Sequence, residues 1–195
     1  MEIEAYNLNM RKDRFEKIIR KINEEMPFLN FRKKTLKRRP NFKYEKNEGY
    51  LDIVRSMDWV RYIDGLGGRE VPYYLVLTDM PLYVEVMDFS DGQEKIVYPI
   101  GYRSEDVAAV SSFRLGRKKG ERTAKVALYE LFKILTRFEG VCKTNGCYVR
   151  SDVGEMATSA KEVKKVISRI DRSHRFCRRC KKLLSSLQTN LNNKD

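Results

Sequence analysis

The apolar positions of the chain change period several times, and each change marks an element. Phe15, Ile18, Ile19, Ile22 and Met26 recur at helical spacing with Lys and Arg between them, which predicts an amphipathic helix over 11–26, ending before Pro27. Leu51, Val54 and Met57 repeat the pattern and predict a second helix over 50–62. After a glycine-rich loop at 64–68 the pattern turns to strands. Residues 72–77 form a nearly continuous apolar run, as expected of a strand covered on both faces. Residues 82–86, 95–98 and 107–112 read as further strands, with a turn at Ser90-Asp91-Gly92. A charged loop is predicted over 116–121. Ala124, Ala127, Leu128, Leu131, Leu135 and Phe138 then fall at i, i+3, i+4, i+7, i+11 and i+14, the most sustained helical pattern in the chain. Gly140 stands where a C-cap glycine would close that helix. Val163, Val166, Ile167 and Ile170 predict a last helix over 161–170. The polar residues 184–195 read as a flexible tail.

With 195 residues, one domain over 1–183 is expected, large enough to bury a core without disulfides. No apolar run reaches the ~18–20 residues of a membrane span, and the acidic Met1–Ala5 lacks the layout of a signal peptide. A membrane-free, non-secreted protein is expected. Lys and Arg number 40 against 27 Asp and Glu, a net charge of +13 that a core cannot use. Such an excess points to a polyanion, above all nucleic acid. It is concentrated in three clusters. In the first, eight of the fifteen residues over 32–46 are basic, among them Arg32, Lys33, Lys34, Lys37, Arg38, Arg39 and Lys43, interleaved with Phe42 and Tyr44. Only Glu45 is acidic there. The second holds Arg114, Arg117, Lys118, Lys119, Arg122 and Lys125; the third holds Arg172, Arg175, Arg178, Arg179, Lys181 and Lys182. Phosphate backbones bind such clusters by counterion release, and interleaved aromatics stack on unpaired bases. Charge runs are also commonly solvated faces or ion-pair networks.

The chain has one histidine, His174, so any mechanism that needs two or three imidazoles is excluded. It has four cysteines, Cys142, Cys147, Cys177 and Cys180, arranged as C-x4-C and C-x2-C with 29 residues between the pairs. Four thiolates at two short spacings suit one tetrahedral zinc ion, each pair supplying one edge. Gly146 allows the tight turn before Cys147. A four-cysteine site has no open position, so the expected zinc is structural. The alternatives are two disulfides, disfavoured in a chain without a secretory signal, and four free buried cysteines, which would rarely fall into paired spacing.

The order of strands, long helix and two cysteine pairs resembles the archaemetzincin family of zinc peptidases. The segment Val76-Leu77-Thr78-Asp79-Met80-Pro81-Leu82-Tyr83-Val84 is similar to the family's strand with T-D-x-D-L-F/Y. Ala109-Val110-Ser111-Ser112-Phe113-Arg114-Leu115 is similar to its V-V-S-x-x-R-L strand, and Phe176-Cys177-Arg178-Arg179-Cys180 to its closing F-C-x-x-C. The likeness runs over about residues 70–183. It implies a metzincin-like α/β fold, a mixed β-sheet flanked by helices with a C-terminal zinc knuckle within 142–180, and an archaeal, cytoplasmic origin. The family's H-E-x-x-H-x-x-G-x-x-H-C is degenerate here. Tyr129 and Lys133 stand at the two helical histidines, Val141 at the third, and Cys142 falls thirteen residues after Tyr129 instead of eleven. Glu130, at the family's general base, is retained; Val149 replaces the methionine of its C-x-M.

Residues 129 and 133 share one helix face, where two imidazoles would grip a metal. A protonated Lys133 has no lone pair to offer and repels a cation. Glu130 is then expected to pair with Lys133, three residues away, or with a neighbouring Arg, and Glu130→Ala to cost the fold little. The resulting expectation is a catalytically inactive protein with one structural zinc, acting as a basic module for nucleic acid or a ribonucleoprotein. Two other functions compete with it. A protein-binding pseudopeptidase requires an apolar groove around Tyr129 and Phe132, and a residual metallopeptidase requires a second metal site.

Overall fold

Period-two alternation builds the centre of the molecule. The structure, a computed structural model, describes residues 1–35, 51–52, 73–88, 93–97, 99–140, 142–150 and 160–192. The strands are β1 (Glu2–Leu8), β2 (Asn30–Thr35), β3 (Leu51–Asp52), β4 (Tyr74–Thr78), β5 (Leu82–Asp88), β6 (Gln93–Val97), β7 (Gly101–Arg103) and β8 (Val107–Ser111). Five of them form a sheet in the order β2-β1-β4-β8-β7. All neighbours in it are parallel except β7, which runs antiparallel to β8 at the edge. A second sheet has the order β3-β5-β6.

Successive residues of β1, β4 and β8 face opposite sides, as the pleat requires. Ile3, Ala5, Leu75, Leu77, Ala108 and Val110 enter the core beneath the helices. Tyr6, Leu8, Tyr74, Val76, Val107 and Ala109 form a second cluster with Leu82 and Val84 of β5. The run is therefore apolar over β4 because both faces of that strand are covered. The expected strands at 82–86, 95–98 and 107–112 are present within a few residues of their predicted bounds.

The helices are α1 (Lys12–Glu25), α2 (Lys119–Thr136), α3 (Ala160–Arg172) and α4 (Arg178–Asn192). Phe15, Ile18, Ile19 and Ile22 form the buried stripe of α1, which packs against α2. Helix α2 is buried from Thr123 to Leu135 and carries the centre of the core. No described helix is long and apolar enough to cross a membrane.

Several elements depart from the sequence expectation. β1, β2 and β7 were not anticipated. Strand β1 hides behind Glu4 and Asn7, polar residues that are nonetheless buried. Glu4 accepts a hydrogen bond from Tyr6 (2.9 Å), and the Asn7 amide bonds both backbone groups of Met10 (3.0 and 2.9 Å). Strand β2 begins the first basic cluster, and charged residues on an edge strand also discourage pairing with another chain. Leu51–Asp52 is a strand paired to β5, not the start of a helix; residues 53–62 lie outside the described residues, as does the turn at 90–92. The loop expected at 116–121 is a 3-10 turn (Gly116–Lys118) leading into α2, whose first turn carries only exposed or half-buried groups and so lacks the apolar period. Arg137, in the left-handed region at φ 51°, closes α2 in place of Gly140.

The tail predicted from residue 184 is instead helical to Asn192. Cys180 and Leu184 are buried and Leu187 half-buried, a stripe at i, i+4 and i+7. The hydroxyls of Ser185, Ser186 and Thr189 each donate to the carbonyl four residues earlier (3.0 Å), so their polar groups find partners within the helix itself.

Candidate metal centre and its neighbouring helix

The four cysteines are brought together by three short pieces of backbone. Gly146, at φ 74°, turns the chain so that Cys147 faces back toward Cys142. The Gly146 carbonyl accepts the N–H groups of His174 (2.9 Å) and Arg175 (3.2 Å), and Tyr148 N–H donates to Arg175 O (2.9 Å). These bonds tie the first cysteine pair to the segment that carries the second. Cys177 and Cys180 then open α4. Around them Phe176 stacks on Phe132 (centroids 5.6 Å apart) and meets Tyr148 edge-on (5.1 Å).

All four thiols are buried and free, so no disulfide links them. Cys142 Sγ lies 3.5 Å from Cys177 Sγ and Cys147 Sγ 3.7 Å from Cys180 Sγ, and all four sulfurs lie within 4.8 Å of one another. Zinc–sulfur bonds of about 2.3 Å give sulfur–sulfur edges of about 3.8 Å in a tetrahedron. The donor set therefore fits one structural zinc ion, held by Cys142, Cys147, Cys177 and Cys180. Backbone donors are aimed at the sulfurs, as thiolate ligands require: Cys177 N–H points to Cys147 Sγ at 3.4 Å. Burial pushes the Cys177 thiol up, but hydrogen bonds from Cys180 N–H, Cys142 and Thr144 outweigh it and bring the thiol down to about 6. Burial raises Cys147 to about 11, which a bound cation would reverse. Among the described residues this is the one group of His, Cys, Asp and Glu side chains that could hold a metal.

His174 is exposed, with Nδ1 3.0 Å from Arg172 O, and its ring covers Gly146. A Cβ at Gly146 would run into that imidazole. Gly146→Ala should cost about 1–2 kcal/mol from the left-handed backbone alone, with the clash added. Urea unfolding checks this, and a second change, His174→Ala, should recover only the steric part.

Tyr129, Glu130 and Lys133 lie on α2, but they do not form a metal pair. Glu130 is fully buried and accepts a hydrogen bond from Arg103 Nη1 of β7 at 2.7 Å. The expected Glu130–Lys133 pair is not formed; Lys133 Nζ instead donates to Gly140 O at 2.6 Å and sits 5.2 Å from the centroid of Phe138. Arg103 also lies over the Tyr129 ring at 5.8 Å. The second carboxylate oxygen of Glu130 is buried without a hydrogen-bond partner. Burial pushes the Glu130 carboxyl up, against the opposing pull of Arg103 and Lys133. Burial and the nearby Arg103 push Lys133 down. A carboxylate sealed beneath Gly101, where a Cβ would come within 2.9 Å of Glu130 Oε1, is part of the core. The small cost expected for Glu130→Ala is thereby revised upward, since that change would empty a packed site and leave Arg103 unpaired. A zinc ion on this helix does not fit the residues present. Val141 lies outside the described residues.

Tyr129 and Phe132, around which a protein-binding pseudopeptidase would need an apolar groove, are both buried against the described residues. Beside them is a polar cleft of about 390 Å³ lined by Arg103, Ser104, Glu105, Lys133, Arg137 and Glu139 among others.

The basic clusters differ in how far they are neutralised. Arg32 pairs with Glu2 (2.7 Å), Lys33 with Glu16 and Lys34 with Glu4, so the start of the first cluster is matched by acids remote in sequence. Lys37, Arg38, Arg39 and Lys43 lie outside the described residues. In the second cluster Arg122 pairs with Asp171 (2.6 Å) and Lys125 with Glu121 (3.1 Å), whereas Arg117 and Lys118 are exposed and Lys119 half-buried. In the third, Arg172, Arg175, Arg178, Arg179, Lys181 and Lys182 are all exposed. Hydrogen bonds from Arg122 hold the Asp171 carboxyl below the usual carboxylate range, with Lys125 and Lys118 adding to the field. Asp171 is next in sequence to Arg172, the first residue of the third cluster.

No protein-family model and no curated protein sequence matches the chain. Solved structures do. An archaemetzincin from Methanopyrus kandleri superposes with a TM-score of 0.67 at 22% identity, over 97% of this chain and 96% of that one. An archaemetzincin from Archaeoglobus fulgidus, solved with malonate, superposes with a TM-score of 0.57 at 19% identity, over 94% of this chain and 99% of that one. What these likenesses establish is the fold: a mixed sheet flanked by helices on the archaemetzincin plan.

Proposed function

We propose that this chain uses an archaemetzincin-like scaffold for binding and not for peptide hydrolysis, and that its ligand is nucleic acid, alone or within a ribonucleoprotein. The observation that carries the reading is the set of exposed cations seated on the cysteine knuckle. Arg175, Arg178, Lys181 and Lys182 make no ion pair with a described carboxylate, unlike the basic residues of β2. The second cluster adds Arg117 and Lys118, which are exposed as well. A patch of this kind favours phosphate backbones by releasing their condensed counterions. The zinc ion supplies rigidity, fixing the first turn of α4 against the rest of the core.

The absence of peptidase chemistry is supported by Glu130, whose carboxylate is engaged by Arg103, and by a tyrosine and a lysine where a ligand pair would stand. Elemental analysis of purified, zinc-loaded protein should find one zinc per chain, with no cleavage of peptide substrates. Two zinc ions together with cleavage would overturn this half of the proposal.

The other half is read by anisotropy of labelled RNA and DNA across a salt series. Binding should weaken with salt along a linear log–log slope. The double substitution Arg178→Glu, Arg179→Glu should weaken it by about tenfold or more and flatten the slope. Equal affinity of the variant and the wild type would remove the patch from the interface.

A further inference from the structure

Phe113 is the large apolar side chain left exposed among the described residues, at 40% of its surface. It follows β8 and precedes the 3-10 turn into α2, at the carboxyl ends of parallel strands, where open α/β sheets commonly take their ligands. Its surroundings are basic. The Arg114 guanidinium lies 5.6 Å from the Phe113 ring centroid, and Arg117 and Lys118 follow within five residues, both exposed.

The ring is presented on an anchored loop. Phe113 N–H donates to Ser111 Oγ at 3.0 Å, and Ser111 Oγ donates to Met80 O at 2.6 Å. Ser112 N–H donates to Thr78 O at 2.9 Å. Leu115, two residues on, is fully buried, and its carbonyl accepts from Arg122 Nη1. Arg114 is held in the left-handed region at φ 64°, which turns the chain between the exposed ring and the buried leucine. A fixed aromatic face beside cations, clear of the core, is the arrangement on which a base stacks while its phosphates are neutralised.

We infer that the loop over 113–118 holds an unpaired base of single-stranded nucleic acid, with Phe113 as the stacking face and Arg114, Arg117 and Lys118 beside the backbone. The inference rests on the nucleic-acid reading above and narrows it. Duplex bases, already stacked on one another, offer Phe113 no face, so the ring should discriminate strandedness while the cations serve both forms.

The test compares labelled oligo-dT and oligo-U of about 16 nucleotides with a blunt DNA duplex of the same length, at one salt concentration. Phe113→Ala should lose about 5- to 100-fold on the single strands and keep its duplex affinity, and Phe113→Trp should restore single-strand binding. The melting temperature of Phe113→Ala should match the wild type because the side chain is exposed. If Phe113→Ala binds single strands as the wild type does while Arg178→Glu, Arg179→Glu still weakens them, the stacking assignment is wrong and the basic surface stands. A parallel loss on duplex and single strand also overturns it. If the wild type binds none of the three probes at low salt, or binds phosphatidylserine vesicles instead, both the stacking assignment and the nucleic-acid reading fall.

Discussion

Cys177→Ala should remove the zinc and lower the melting temperature by roughly 10–20 °C. The reasoning begins with what holds residues 142–150 in place. Among the described residues that segment contributes isolated bridges, Cys142 to Arg150 and Cys147 to Arg175, and no regular strand or helix. Beyond the backbone bonds to His174 and Arg175 and the Tyr148–Phe176 ring contact, its attachment to α4 rests on four sulfurs converging on one point. A structural zinc contributes its binding free energy to folding, apparent values being about 10–16 kcal/mol in small zinc modules. Here a preformed core remains, so a loss of about 5 kcal/mol is the expected order. At about 2–4 °C per kcal/mol for a chain of this size, that gives the stated shift. Phe176 and Tyr148 should loosen with it, because their ring contacts depend on the same turn. Thermal unfolding beside elemental zinc analysis checks the outcome, and amide exchange should rise first at 142–150 and in the first turns of α4. A wild-type melting temperature in Cys177→Ala, or one unmoved by a strong chelator, would refute a structural metal. Because protons compete with zinc for thiolates, the holo protein should also lose this stabilisation as pH falls.

Arg103→Met should destabilise the protein by about 2–3 kcal/mol at neutral pH and by much less in acid. Removing one partner of a buried ion pair costs about 3–5 kcal/mol, since the remaining charge is left desolvated. Glu130 is that remaining charge, 1% exposed, while Arg103 keeps 37% of its side chain in water, so screening places the effect at the lower end. The pH dependence follows from the direction of the Glu130 shift. Burial raises its carboxyl above the ordinary 4.5, so the folded protein holds a proton that the unfolded chain has already released. Stability from this group is complete below the ordinary value and is lost as pH rises through the folded one. Arg103 opposes that rise, and its removal extends the unfavourable window upward. Adding Glu130→Gln to Arg103→Met should restore most of the neutral-pH loss, because a neutral amide carries no desolvated charge. Urea unfolding on either side of pH 4.5 measures both effects, and a pH-independent loss in Arg103→Met would show that the pair is not the cause.

The placement of Glu130 also explains why its partner was illegible in the sequence. Its neighbours in sequence nominate Lys133, three residues away on the same helix, yet the bond goes to Arg103, 27 residues earlier. β7 is three residues long and carries no apolar alternation of its own. Nothing local announces it as a strand, and only its pairing with β8 aims Arg103 at α2. Lys133 in turn is drawn to the Gly140 carbonyl because α2 ends at a left-handed Arg137, which folds the following residues back over the last turn.

The legible parts are those in which one physical constraint acts within a short stretch of chain. The stripes of α1 and α2 repeat every three or four residues because one helix face must leave water. The apolar run of β4 is continuous because helices cover one face and β5 the other. The two cysteine pairs declare a tetrahedral site because thiolates with two or four residues between them span one of its edges, and the structure places all four sulfurs together. Where the chain mixes polar and apolar residues, as in β1 and the last turns of α4, burial is decided by partners elsewhere.

Charge is the clearest case. From composition alone the surface carries +13, and Arg32, Lys33 and Lys34 look as bare as Arg178 and Lys181. The parallel register that sets Glu4 opposite Arg32 and Tyr6 opposite Lys34 brings acidic side chains of β1 and α1 within reach of β2, and among the described residues no such partner reaches the start of α4. Periodicity and ligand spacing are local properties and stand in the sequence itself. Which cations remain free for a ligand is a matter of distances in space, and strand register and helix packing set those distances.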